Sequence, residues 1–157
     1  MKRSSTIFLQ AVVVALSIGA LALLLWEPHI EGRNVHATVF EIYFNDPFLA
    51  FAYIGSIPFF MALYQVFKLL GFVRQNKIFS QSAVATVKAL RTIKYCAITI
   101  IGFVAVGEVF IMLNESDDRA GGVFMGLLVV FFSATVAAVT TRFEGILKNT
   151  ADQKLGK

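Results

Sequence analysis

The sequence predicts an all-α membrane protein, a bundle of four transmembrane helices with both termini inside. Three observations predict it. Apolar residues make up 57% of the 157 and charged residues only 15%, where a soluble domain carries about 25% charged. The apolar residues fall in four blocks of roughly 20, which is bilayer length. When the chain is threaded back and forth through these blocks, its basic residues gather on one side. A soluble domain this apolar would leave large patches facing water.

The blocks place the spans at about 7–26, 48–67, 95–113 and 122–141 of a single membrane domain covering 1–157. At about 1.5 Å per residue, each covers roughly 30 Å, the hydrocarbon thickness. Runs such as Val12-Val13-Val14 and Val129-Val130 are equivocal for a helix in water. In lipid, every backbone polar group must pair within its own segment, and that decides for helix.

Orientation follows from the basic residues. With the N-terminus inside, Lys2, Arg3, Lys68, Arg74, Lys77, Lys88, Arg91, Lys94, Arg142, Lys148, Lys154 and Lys157 all lie inside. Only Arg33 and Arg119 lie outside. The acids Glu27, Glu31, Glu41, Asp46, Glu115, Asp117 and Asp118 fall outside. This is the positive-inside pattern, so N- and C-termini are expected in the cytoplasm and the protein in the cell membrane. Trp26 and Tyr43 sit near the outer boundary, where amphipathic rings anchor well. Lys2 and Arg3 before an apolar run also raise the question of a signal peptide. The run from Ile7 to Trp26 is longer than the 7–15 residues of such a segment, so it reads as a retained span.

The connecting segments carry less pattern. In the outer segment 27–47, Phe40, Ile42 and Phe44 alternate, which favours a short extended piece. An interfacial helix fits the same aromatic residues, and the choice stays open. The short acidic loop from Asn114 to Gly121 joins the third and fourth spans as an antiparallel hairpin. On the inner side, Ser80 is placed to cap a helix over about 80–94. Ala83, Val87 and Leu90 form its apolar stripe, and Lys88, Arg91 and Lys94 a basic one. No proline or glycine interrupts Gln81 to Ile101, so this helix is expected to run on into the third span. The tail after Arg142 continues the fourth helix briefly, through Phe143, Ile146 and Leu147.

Within the membrane, helices associate through small residues and a few polar groups. Ala11, Ala15 and Gly19 form one small ridge, and Gly122 and Gly126 another. Pro58 interrupts the backbone bonding of the second span near Gly55 and Ser56. Glu108 is the one acid inside a span. It lies about 7–8 Å from the end of the third span by helical rise. A carboxylate at that depth faces a cavity or a partner. It therefore reads either as a cation, proton or ligand site, or as a carboxylate that reaches the outer surface or pairs with Arg119 across the hairpin. Tyr53 and Ser56 sit at comparable depth.

No chemistry-bearing motif accompanies these features. His29 and His36 with Glu27, Glu31 and Glu41 match no closed metal site. There is no nucleophile–base pair or phosphate-binding glycine loop. Cys96 is the single cysteine and reads as a small apolar residue. The expectation is a non-enzyme with no cofactor, no metal and no direct binding to nucleic acid.

The segment Gly71 to Leu90 reads GFVRQNKIFSQSAVATVKAL, followed by Arg91-Thr92-Ile93-Lys94. It resembles a bacterial membrane family, domain of unknown function 2975, whose members share four spans and a short phrase after the second. Ile78, Phe79, Ser82, Val84, Leu90, Arg91 and Ile93 match that phrase. The resemblance implies no activity, catalytic residue or cofactor. Some relatives are encoded beside small helix-turn-helix regulators, which implies a cytoplasmic regulatory partner.

Two functions remain in view. One is a noncatalytic regulatory or protein-interaction role, worked through Lys88, Arg91 and Lys94. The other is a small oligomeric transporter or efflux component using Glu108. Immunity or tolerance to an envelope-directed toxin is a third class that leaves no mark in the sequence. The expected partners are membrane lipid, a cytoplasmic regulatory protein and further copies of the chain.

Overall fold

Each apolar block becomes the middle of a longer helix. The computed structural model describes residues 3–30, 34–75, 83–113 and 119–155. Helix α1 is Arg3–Trp26 and is followed by a single 3-10 turn, Glu27–His29. The short α2 is Val39–Asn45; α3 is Pro47–Arg74, α4 is Ala83–Leu113 and α5 is Arg119–Leu155. All regular structure among the described residues is helical. Four helices are long and apolar enough to cross a membrane. Ser80 and most of the hairpin 114–121 lie outside the described residues.

The long helices outrun the hydrocarbon. α5 has 37 residues, or about 55 Å by helical rise. The uncharged run 120–141 marks where lipid can surround it, and the rest carries charges. α4 runs without a break from Ala83 to Leu113, so the basic stripe and the third span share one helix. Pro58 sits inside a continuous α3, where its missing N–H leaves one carbonyl without its usual donor.

Lipid as the surrounding medium explains what the surface presents. Phe8, Leu16, Ile18 and Leu23 of α1 are exposed, as are Phe131 and Phe132 of α5. Hydroxyls within the spans mostly bond back to their own helix. Ser17 donates to the Val13 carbonyl at 2.8 Å, and Thr135 to Phe131 at 2.9 Å. Thr140 donates to Val136 and Thr141 to Ala137, each at 2.7 Å. These local bonds let Ser and Thr sit in hydrocarbon at little cost.

The helices pack in chain order. α1 lies on α3, α3 on α4, and α4 most extensively on α5. Among the described residues α1 and α5 are not packed extensively on each other, so the bundle is open along one side. At the α3–α4 contact, a Cβ on Gly55 would come within 3.0 Å of Phe103. Phe51 packs on Phe103 with ring centres 5.0 Å apart, and Phe48 stacks on Phe110 at 5.5 Å. α4 buries Thr86, Ala89, Leu90, Ile93, Cys96 and Ala97. α5 buries Ser133, Thr140, Glu144 and Leu147. Both sets fall at spacings of one, three, four or seven residues, which is one helix face.

The outer segment settles on a helix. Thr38 and Glu41 form a reciprocal cap at the start of α2. The Thr38 N–H donates to the Glu41 carboxylate at 2.7 Å, and the Glu41 N–H donates to the Thr38 hydroxyl at 3.3 Å. Bonds from the Thr38 backbone and hydroxyl hold the Glu41 carboxyl below its usual range. Asp46 then caps α3, accepting from the Phe48 and Leu49 N–H groups at 3.2 Å. Thr38→Ala is expected to loosen α2 alone, by about 0.5–2 kcal/mol. Hydrogen exchange should show faster amides over 39–45 and unchanged amides in α4 and α5.

Candidate functional site

Helix ends sort the molecule into two halves. The C-termini of α1 and α4 lie with the N-termini of α3 and α5; this is the Trp26 end. The opposite termini form the Lys94 end. Each half holds one cluster that ordinary helix packing does not require.

The Trp26 half contains an apolar groove of about 570 Å³. All four long helices line it, through Ala20 and Leu24 of α1, residues 48–60 of α3, 100–111 of α4 and 122–133 of α5. Because α1 and α5 line it without packing extensively on each other among the described residues, it is a groove rather than a closed chamber. Its walls include Phe48, Phe51, Phe59, Phe60, Phe103 and Phe132. The polar side chains in the lining are Ser56, Ser133 and Glu108.

Glu108 is held by an absence on the facing helix. Its carboxylate rests directly on the backbone of Gly126, where a Cβ would lie within 2.6 Å of the carboxyl carbon and closer still to one oxygen. A turn earlier on α5, Gly122 makes the same kind of room for Ile111, at 3.2 Å. In the sequence the packing glycines and the acid are separate features; α4–α5 pairing makes them one. The other carboxylate oxygen of Glu108 is buried without a hydrogen-bond partner. Desolvating a carboxylate that way is costly. Ser56 lines the groove but donates to the Tyr53 carbonyl at 2.7 Å. The Tyr53 hydroxyl is buried and unpartnered, so it does not reach Glu108. The Arg119 side chain lies outside the described residues, so its pairing with Glu108 does too.

The Lys94 end holds the second cluster. Glu144 of α5 is buried and accepts from three cations. Arg91 reaches one oxygen through Nη2 at 2.9 Å and Nε at 3.2 Å. Lys148 reaches the same oxygen at 2.9 Å, and Lys94 the other at 3.0 Å. Glu144 lies beyond the uncharged run of α5. Lys148, Lys94 and Arg91, in that order, hold its carboxyl far below the usual range, at about 2. Of the basic stripe, Arg91 and Lys94 are thus drawn onto α5, and Lys88 is exposed. Sequence reasoning misses Glu144. Its spacing to Lys148 is visible there; the approach of α4 is not.

Ala11 and Ala15 are exposed, and a Cβ on Gly19 would meet nothing within 4 Å. α1 instead turns Thr6, Gln10 and Ser17 inward, and Gln10 donates to the Phe67 carbonyl of α3 at 3.3 Å. Polar side chains leave lipid first, and on one helical register that turns the small ridge outward. His29 sets its ring nitrogens 2.9 Å from the Leu25 carbonyl and 2.8 Å from that of Ala37. It ties its own segment together. Among the described residues no group of three His, Cys, Asp or Glu could hold a metal.

Comparison with known proteins agrees with this architecture. The family described as "Protein of unknown function (DUF2975)" matches residues 34–154. The chain belongs to that family. The DUF2975 match takes in α2 to α5 and so both Glu108 and Glu144, while α1 precedes it. The chain is also 37% identical over 156 residues to the uncharacterized membrane protein YoaS of Bacillus subtilis (strain 168). That similarity covers 98% of this chain and 96% of the relative. No solved structure matches.

Proposed function

We propose that this DUF2975 member is a noncatalytic membrane protein that binds a lipophilic organic cation in the groove, as a component of a small transporter or efflux assembly. The observation that carries this reading is the carboxylate of Glu108, lining an apolar groove with one oxygen unpartnered. A buried carboxylate is neutralised by a proton or a cation. A calcium or magnesium ion wants six or more oxygens, and the groove adds only two serines. An organic cation asks less. Its charge pairs with Glu108, and its body meets aromatic faces that themselves attract cations. On the orientation expected from the basic residues, the groove lies in the outer half of the membrane.

Tetraphenylphosphonium is a suitable probe. Purified protein should bind it saturably. Glu108→Gln should weaken binding by at least about tenfold, and proteoliposome uptake should fall with it. Binding that is unsaturable, or equal in Glu108→Gln, would defeat the proposal. The alternative, a docking face at Lys88, Arg91 and Lys94, has less support because Glu144 engages two of the three.

A further inference from the structure

The charge cluster at the Lys94 end carries an inference independent of the groove. We infer that Arg91, Lys94 and Lys148, gathered on Glu144, form a site for a phosphate monoester or diester, supplied by the headgroup of an anionic phospholipid. Three cations share a single carboxylate, so the cluster keeps two unbalanced positive charges. Cations repel at such spacing, and something must hold them together before a ligand arrives. Glu144 does so from beneath. Its side chain is 7% exposed, whereas those of Arg91 and Lys148 are 49% and 51% exposed. Lys94 is 21% exposed, so the anion is hidden, two cations face outward and the third is half-buried beside them, an arrangement held ready for an anion.

Donor geometry points the same way. A lysine ammonium has three N–H donors and an arginine guanidinium five. Glu144 takes one from each lysine and two from Arg91. Two donors remain on each lysine and three on Arg91, enough to surround phosphate oxygens.

Position selects the lipid. On α4 the apolar span begins at Tyr95, directly after Lys94. On α5 the uncharged run ends at Thr141, three residues before Glu144. Lys94 also lies 5.5 Å from the centre of the exposed Tyr95 ring, and tyrosine favours the headgroup zone. The cluster therefore stands where phospholipid phosphates lie. On the expected orientation it meets the cytoplasmic leaflet, whose anionic lipids attract basic residues.

The test uses the full chain in nanodiscs or mild detergent, with native mass spectrometry counting bound lipid. Phosphatidylglycerol should be retained at least about tenfold more tightly than phosphatidylcholine. Lys94→Gln with Lys148→Gln should bring the two lipids to near equality. Lys68→Gln with Arg74→Gln removes the same charge from the end of α3 and should leave the preference intact. Equal loss in both variants would show general surface charge and overturn the site, as would no preference in the unaltered chain. Inorganic phosphate at millimolar concentration should not displace the lipid. Displacement would keep the phosphate chemistry and overturn the lipid as its source. Tetraphenylphosphonium binding in the groove should be unaltered throughout.

Discussion

Gly126→Val is expected to lower stability by about 1–3 kcal/mol, the usual cost of overpacking a filled contact. The reason is specific. A Cβ at this position enters the space of the Glu108 carboxylate, and Val104 stands 3.2 Å from it. Two obstacles of different kinds are involved. The carboxylate ends a flexible side chain and can swing away, but only further into an apolar groove. The Val104 methyl belongs to a stiff side chain on α4 and yields only if the helices separate. Gly126→Ala already brings its Cβ against both, and Gly126→Val adds two methyl groups that press on the second. In a Glu108→Ala background, the alanine should cost little and the valine should keep some of its cost. The coupling between positions 108 and 126 should lie in the range of about 0.5–3 kcal/mol seen for residues in contact. Thermal unfolding of the detergent-solubilised variants measures it. Additive costs would show that Glu108 does not rest on Gly126. Gly126→Ala should also weaken tetraphenylphosphonium binding, because the carboxylate loses its seat.

Much of this architecture is written locally. A run of 20 apolar residues reports lipid directly, so 7–26, 48–67, 95–113 and 122–141 all fall inside observed helices. The same signal says nothing about where a helix ends once it leaves lipid, which is why α3 and α5 run on past their apolar blocks. α2 is also legible. Thr38-Val39-Phe40-Glu41 has the spacing of a capping box, a stronger cue than the alternation of Phe40, Ile42 and Phe44. Glu108 stands out as a lone acid in a span. Its seat does not, because Gly126 meets it only through the pairing of α4 and α5. Sequence spacing fixes a residue's face on its own helix, not the axial register between helices. Glu144 escapes notice for that reason. One acid among basic residues of a tail reads as solvated until α4 is laid beside it. Orientation runs the other way, since only the distribution of lysine and arginine speaks to it.

Glu144→Gln should destabilise the α4–α5 pair more than removal of any one of its cations. Arg91→Gln, Lys94→Gln or Lys148→Gln each leaves a carboxylate with two partners. Glu144→Gln leaves three cations facing one another around a neutral amide. That amide also offers N–H donors where only acceptors are wanted. The fall in thermal midpoint should therefore be largest for Glu144→Gln, and adding any one cation replacement to it should recover some of the loss. Acid titration gives a second check, and its sign is fixed. The three cations depress the Glu144 carboxyl from 4.5 to about 2 in the folded chain. Between these values the unfolded chain binds a proton that the folded chain refuses, so stability rises with pH there. The contribution is complete above about pH 4.5 and is lost as pH falls toward 2. The unaltered chain and Glu144→Gln should thus differ most near neutrality and converge on acidification. A constant difference down to about pH 2.5 would mean that Glu144 acts through shape alone. Because exposed pairs contribute little, the size of the effect also measures how far the cluster behaves as one unit around a hidden carboxylate.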